Sequence, residues 1–374
     1  MTPAVEQPAG AAAHSGPRRV RVLVVDDSIV IRRLVKEALA TDPQIEVVGI
    51  AQNGKIALDK IALLKPDAVT MDIEMPEMTG IEAVRALRRT QPRLPVVMFS
   101  TLTERGASAT LDALAAGASD YVTKPSNVGS FAESQNNIRE QLIPKLKALT
   151  GTRRAATVAA PPPPRRTAAP RARTGPFGVL AIGCSTGGPD ALAALLPALP
   201  ADLPVPVVVV QHMPPVFTRL LAARLDGQSQ VGVAEAVHGE PLVPGRVLIA
   251  PGGSHLVVRR LGASVVAELT EDPPENFCRP AVDVLFRSVS AVYGDRVLAA
   301  VLTGMGRDGE KGAGVIRDGG GEVVVQDDAT SVVWGMPGAV AMAGQADRIL
   351  PLPRIGPALA AALARPRTAA GVTT

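Results

Sequence analysis

Short runs of β-branched residues alternate with longer helical stretches along most of the chain. In the first third, "RVRVLVVDD", "EVVGIA", "DAVTMDI", "PVVMFST" and "DYVTKP" are separated by stretches such as "IVIRRLVKEALA", "KIALDKIALL" and "GIEAVRALRR", with a last helix expected near 135–148. Five such units imply a parallel sheet covered by helices on both faces, with ligands bound outside the carboxyl ends of the strands. The pattern returns after residue 175 in "GVLAIGCS", "VPVVVVQHM", "RVLAAVLTG" and "EVVVQD". Residues 231–270 break it with four short runs punctuated by Gly and Pro, which read as an antiparallel hairpin insertion. The fold class is therefore α/β: a five-stranded parallel doubly wound sheet, then a second doubly wound domain carrying a hairpin. An apolar fraction of 47% with only 2% aromatic residues suits such cores, which are built from Val, Leu, Ile and Ala.

Between the two halves, "GTRRAATVAAPPPPRRTAAPRART" shows no apolar period and reads as an extended, semi-rigid linker. The expected divisions are a disordered tail at 1–18, a first domain at 19–140, a helix end and linker at 141–175, a second domain at 176–365 and a tail at 366–374. The net charge of +4 owes everything to the six arginines of 151–175, a stretch without acids. This argues against a general nucleic-acid footprint and confines any basic contact surface to that one stretch. Cys184 and Cys278 supply neither a disulfide framework nor a metal cluster, which fits a reducing cytoplasm. The most apolar region, 191–210, is broken by Pro197, Pro200, Asp202, Pro204 and Pro206, so no membrane insertion is expected.

Three carboxylates fall at strand ends in the first domain. Asp26 and Asp27 close "VLVVDD", and Asp72 lies in "VTMDIEMP". Crowded carboxylates repel one another unless a cation joins them, and hard oxygen donors of this kind suit Mg²⁺. Ser100 and Lys124 reach the same rim and add a hydroxyl and a positive charge. Any one of these aspartates is accounted for as a helix cap, but the set describes a phosphoryl acceptor. It resembles the receiver domain of bacterial two-component response regulators. The resemblance implies that Asp72 is phosphorylated by a sensor histidine kinase, that Asp26, Asp27 and Asp72 hold Mg²⁺, that Lys124 contacts the phosphoryl group, and that Ser100 and Tyr121 are the switch residues.

In the second domain, "AIGCSTGGPD" joins a strand to a helix start and suits either a phosphate cradle or an exposed serine. It lacks the lysine or the longer glycine pattern of a cradle, and it matches G-x-S-x-G at Gly183, Ser185 and Gly187. Small residues at such a turn also have purely structural reasons. A serine needs a base, and of the four histidines only His212 ends a buried strand; His14 lies in the tail, while His238 and His255 fall in the insertion with packing roles. Asp308, in "VLTGMGRDGEKG", supplies the carboxylate. The order Ser, His, Asp separates this site from the α/β hydrolases.

With "GCSTGGP", "VVVVQHMPPVFTRLLAARLD", "EPLVPGRVLIAPGGSHL", "RPAVDVLFRS", "LTGMGRDGEKG" and "GMPGAV", the second domain resembles the chemotaxis protein-glutamate methylesterase family, CheB. The resemblance implies Ser185 as nucleophile, His212 as general base and acid, Asp308 as its orienting partner, and Met305 with the Thr186 region at the oxyanion. It further implies no cofactor in this domain, methylated chemoreceptors as substrates, glutamine deamidation as a secondary activity, and a cytoplasmic, monomeric protein. Two departures stand out. Cys184 replaces a usual Ala and is expected to be buried packing, and Cys278 lies where a histidine is common. The rival readings are a phosphorelay-controlled esterase acting on another ester, a non-catalytic receptor-binding module, and a DNA-binding regulator, which would need a basic helix-turn-helix.

Overall fold

The computed structural model describes residues 19–124, 131–155 and 175–364. The expected tails and most of the proline-rich linker lie outside these residues.

The first sheet and its helices run β1 (Val20–Val25), α1 (Ile29–Ala40), β2 (Ile45–Ala51), α2 (Gly54–Leu64), β3 (Ala68–Asp72), α3 (Gly80–Thr90), β4 (Val96–Ser100), α4 (Glu104–Ala115), β5 (Asp120–Thr123) and α5 (Phe131–Ala155). The strands pair in parallel in the order β2-β1-β3-β4-β5. β3 and β4 are buried at every position, the reason they read as continuous apolar runs. Local signals agree with the sheet. Thr79 and Glu82 form a reciprocal capping box that starts α3 immediately after the β3 loop. α5 is longer than the sequence suggests and runs into the "GTRRA" that reads as linker.

The second sheet is formed within β6 (Val179–Cys184), α6 (Gly188–Leu195), β7 (Val207–Gln211), α7 (Pro215–Asp226), β8 (Gly232–Glu235), β9 (Arg246–Ile249), β10 (His255–Leu261), β11 (Ser264–Thr270), α8 (Val282–Tyr293), β12 (Val297–Val301), α9 (Glu310–Asp318), β13 (Glu322–Gln326), α10 (Met336–Met342), β14 (Arg348–Leu350) and α11 (Leu352–Ala364). Seven strands pair in parallel in the order β14-β13-β12-β6-β7-β9-β8. The antiparallel insertion is narrower than 231–270. β8 and β9 extend the parallel sheet, and only β10 and β11 form the hairpin. Four-residue strands between Gly and Pro carry no signal for pairing direction, so sequence alone does not separate the two cases. No described helix is long and apolar enough to cross a membrane.

Two apolar layers flank the second sheet. Ile182, Leu192, Phe217 and Leu221 fill one, while Val208, Val282, Phe286 and Val301 fill the other. The first layer is continuous with Leu111, Leu114 and Tyr121 of the first domain, because α4 packs against α6 and α7. Tyr121 stacks on Phe217 with ring centroids 4.8 Å apart and planes 8° from parallel.

Candidate active site

Three neighbouring strands deliver the Ser, His and Asp of the second domain. Ser185 follows β6 directly, His212 follows β7 directly, and Asp308 lies in the loop after β12. Because β12, β6 and β7 are adjacent and parallel, all three residues reach the carboxyl edge at the point where the strand order reverses. The glycines after Ser185 have separate reasons. Gly187 has φ 76°, a left-handed conformation that opens α6, and a Cβ on Gly188 would lie 1.9 Å from Gln211 Oε1. Gln211 thereby reaches the turn and donates its amide to Ser185 O at 3.0 Å and His212 O at 3.2 Å.

His212 Nε2 lies 2.8 Å from Asp308 Oδ2, with both side chains largely buried. Asp308 is held on every side. Oδ2 also accepts the Val282 N–H at 2.7 Å, and Oδ1 accepts the N–H groups of Asp283 and Gly309 at 3.0 Å and Asn276 Nδ2 at 2.9 Å. Asp308 thus also caps the first turn of α8, whose own N-cap Ala281 has no side-chain bond to give. These donors and His212 outweigh burial and hold the Asp308 carboxyl below its usual range.

The other ring nitrogen, His212 Nδ1, faces Cys278 Sγ at 3.5 Å. Ser185 Oγ, by contrast, makes no hydrogen bond among the described residues. Burial opposes protonation of His212, but the bonds from Asp308 and Cys278 prevail and raise it from 6.5 to about 9. A base must be neutral, so kcat/KM for ester hydrolysis by the untreated full chain is expected to climb with pH around 9 rather than near the reference value of about 6.5. A pH–rate profile checks this. The linkage has the opposite sense: stability from protonated His212 is fully present below 6.5 and lost as pH rises through about 9.

Backbone donors near the serine divide into two groups. The Ser185 and Gly304 N–H groups are committed to Thr303 O and Val333 O, both at 3.0 Å. Those of Thr186 and Met305 have no protein acceptor among the described residues. They include the positions to which the family resemblance assigns an oxyanion role.

The first domain covers this edge. Leu114, Asp120, Tyr121 and Lys145 close over Ser185, Thr186 and His212 and leave a cavity of about 20 Å³, room for about one water. Thr186 Oγ1 donates to Asp120 Oδ2 at 2.6 Å, and Lys145 Nζ lies 2.9 Å from the same oxygen. Two exposed ion pairs, Arg219–Glu104 at 2.9 Å and Arg224–Asp112 at 2.8 Å, border the contact. Asp120, Lys145, Gln211 and Asn276 are absent from the sequence-based candidates. Asp120 stood in plain view beside Tyr121, but nothing local signals a partner 66 positions away.

At the first domain's own strand ends, Lys124 Nζ lies 2.8 Å from Asp72 Oδ2 and 3.2 Å from Asp26 Oδ2. Burial, and then the neighbouring Asp26, push the Asp72 carboxyl up to about 6; burial also raises Asp26, against the opposing pull of the Lys124 ammonium at its Oδ2. One ammonium cannot balance two buried carboxylates with Asp27 beside them. Oxygens of Asp26, Asp27 and Asp72 lie within 4.8 Å of one another, so the donor set fits a hard divalent cation. Asp27, Asp72, Ser100 and Lys124 line a cavity of about 260 Å³. The Ser100 hydroxyl is engaged by its own loop and by α4, donating to Thr101 O at 3.1 Å and Gly106 O at 3.2 Å and accepting from the Thr110 hydroxyl. α4 therefore links the carboxylate pocket to the cover over Ser185.

Residues 180–359 match the CheB methylesterase family, and residues 22–134 match the response regulator receiver domain family. The chain is 61% identical over 358 residues to a Nocardioides protein named protein-glutamate methylesterase/protein-glutamine glutaminase, covering 93% of this chain and 96% of that protein. Proteins of the same name from Trichodesmium erythraeum and Symbiobacterium thermophilum are 49% identical over 341 residues and 46% identical over 359 residues. These alignments cover 90% and 92% of this chain and 97% and 98% of those proteins. With a receiver domain ahead of the Ser185 sheet and a match that runs nearly from end to end, the chain belongs to the CheB methylesterase family.

Proposed function

We propose that the protein is a phosphorylation-controlled serine hydrolase that removes methyl esters from glutamate residues of chemoreceptors and deamidates their glutamines. One observation carries the reading: adjacent strands bring Ser185, His212 and Asp308 to one edge, with Asp308 on a ring nitrogen of His212 at 2.8 Å.

His212 Nδ1 takes the Ser185 proton, and Ser185 Oγ attacks the ester carbonyl. The N–H groups of Thr186 and Met305 hold the negative oxygen of the tetrahedral intermediate. His212 then returns the proton to the departing methoxide, which leaves as methanol, and activates the water that frees the glutamate. For glutamine the leaving group is ammonia. Asp308 stays ionised and supports the imidazolium between these steps.

Control begins at Asp72, the phosphoryl acceptor from a sensor histidine kinase. Asp26, Asp27 and Asp72 would hold Mg²⁺, which neutralises the incoming phosphoryl charge. Lys124 and Ser100 meet the phosphoryl oxygens, and turning Ser100 toward them gives up its bonds to Gly106 and Thr110. α4 and Tyr121 then loosen from α7, and the Ser185 cavity opens.

The test uses the full chain with a receptor cytoplasmic fragment bearing methylated glutamates and glutamines. Methanol and ammonia are expected from it, faster with a small-molecule phosphodonor and Mg²⁺, and a chelator should cancel that gain while leaving the basal rate. No release of either product under any condition contradicts the reading.

A further inference from the structure

We propose that Cys278 and His212 together bind a thiophilic divalent cation of the zinc type, which inhibits the hydrolase by occupying His212 Nδ1. The binding stands on geometry alone; the inhibition rests on the hydrolase reading above.

Zinc bonds of about 2.3 Å to sulfur and about 2.0–2.1 Å to nitrogen, opened at the tetrahedral angle, put the two ligand atoms about 3.6 Å apart. Cys278 Sγ and His212 Nδ1 are 3.5 Å apart. The outer surroundings match too. A metal-bound imidazole commonly donates its second ring N–H to a carboxylate, which fixes the tautomer and strengthens the ligand. Here His212 Nε2 is already on Asp308 Oδ2 at 2.8 Å. Ligand atoms of His212, Cys278 and Asp308 all lie within 4.8 Å of one another.

The thiol is placed by a tight turn rather than left to swing. Glu275 N donates to Cys278 O at 3.1 Å and Cys278 N to Glu275 O at 2.9 Å. Between them Asn276 and Phe277 are left-handed, with φ 52° and 63°, and Asn276 Nδ2 ties the turn to Asp283 and Asp308, both at 2.9 Å. Cys278 is partly exposed, so an ion in solution reaches it. The chain holds two cysteines, and Cys184 is buried with its thiol turned to Val210 O. A soft ligand pair here and three aspartates in the receiver domain would sort cations by softness, zinc to one site and magnesium to the other. On binding, Cys278 releases its proton to solvent and water completes the tetrahedron. The nitrogen that must accept the Ser185 proton is then taken.

The experiment titrates Co²⁺ into the full chain with excess Mg²⁺ present, and compares wild type with Cys278→Ser and Cys278→Ala. A thiolate-to-cobalt charge-transfer band that saturates at one equivalent is expected for wild type and for neither variant. Oxygen ligands at Asp72 give no such band. Zn²⁺ should raise the melting temperature of wild type alone. With phosphodonor present, Zn²⁺ should also lower methanol release about tenfold or more relative to each protein's own zinc-free rate in wild type, and at least about tenfold less effectively in the variants. A wild type without the band, or a band retained in both variants, overturns the site. A band without inhibition overturns the inhibitory role. Absence of methanol release in every zinc-free sample would instead count against the hydrolase reading, leaving the band to judge the metal.

Discussion

His212→Ala is expected to lower kcat for methyl ester hydrolysis by about 10³- to 10⁶-fold with little change in KM, since residues of such a triad act as a unit. Asp308→Asn should cost nearly as much, for reasons visible in its bonds. Its carboxylate accepts the His212 ring on Oδ2 and three further N–H groups on Oδ1, and an amide would aim an NH₂ at one of these sets of donors. His212 would then lose the acceptor that fixes its tautomer. The same change leaves first-turn N–H groups of α8 short of a partner, a cost of about 1–3 kcal/mol for a buried donor. Melting curves measured with the kinetics separate the two effects: the loss of stability should be modest, and the loss of kcat large at a temperature where the variant is folded.

Thr186→Val is expected to raise the basal rate about ten- to hundredfold while changing the phosphodonor-stimulated rate little. The Thr186 hydroxyl donates to the Asp120 carboxylate at 2.6 Å across the domain contact, and a hydrogen bond to a charged group contributes about 1.5–3 kcal/mol. Valine keeps the shape and the backbone N–H, so the opened site should work as before. Losing this bond shifts the closed state toward the open one by that energy, at a factor of ten per 1.4 kcal/mol. Reversing Arg219 or Arg224 should do far less, because exposed ion pairs contribute about 0–1 kcal/mol. The ratio of stimulated to basal rate, measured across these variants, is the readout. An unchanged ratio in Thr186→Val would mean that the Asp120 contact does not hold the site shut.

Much of this was legible because it depends on strand ends. Asp72 closes β3, and Ser185 and His212 directly follow β6 and β7, so a residue's place in a parallel sheet already says which edge it reaches. Asp308 was legible as a carboxylate in a glycine-rich loop. That it would also bind the start of α8 depends on a packing that the loop itself does not encode. The parallel pairing of β8 and β9 was hidden, since short strands between turn residues look alike in either direction. The approach of Cys278 to His212 was hidden for a different reason: it is set by a turn with two left-handed non-glycine residues, a conformation their identities do not announce. Asp120 carries no local signal because its partner, Thr186, belongs to the other domain.

The most direct test of the central claim, a hydrolase that works through Ser185, is methanol release from a methylated receptor fragment by phosphodonor-treated wild type and Ser185→Ala side by side. Wild type should release methanol through a Ser185-bound acyl intermediate detectable by mass after an acid quench, while Ser185→Ala should fall at least about 10³-fold and carry no adduct. Equal release by the two proteins would contradict it.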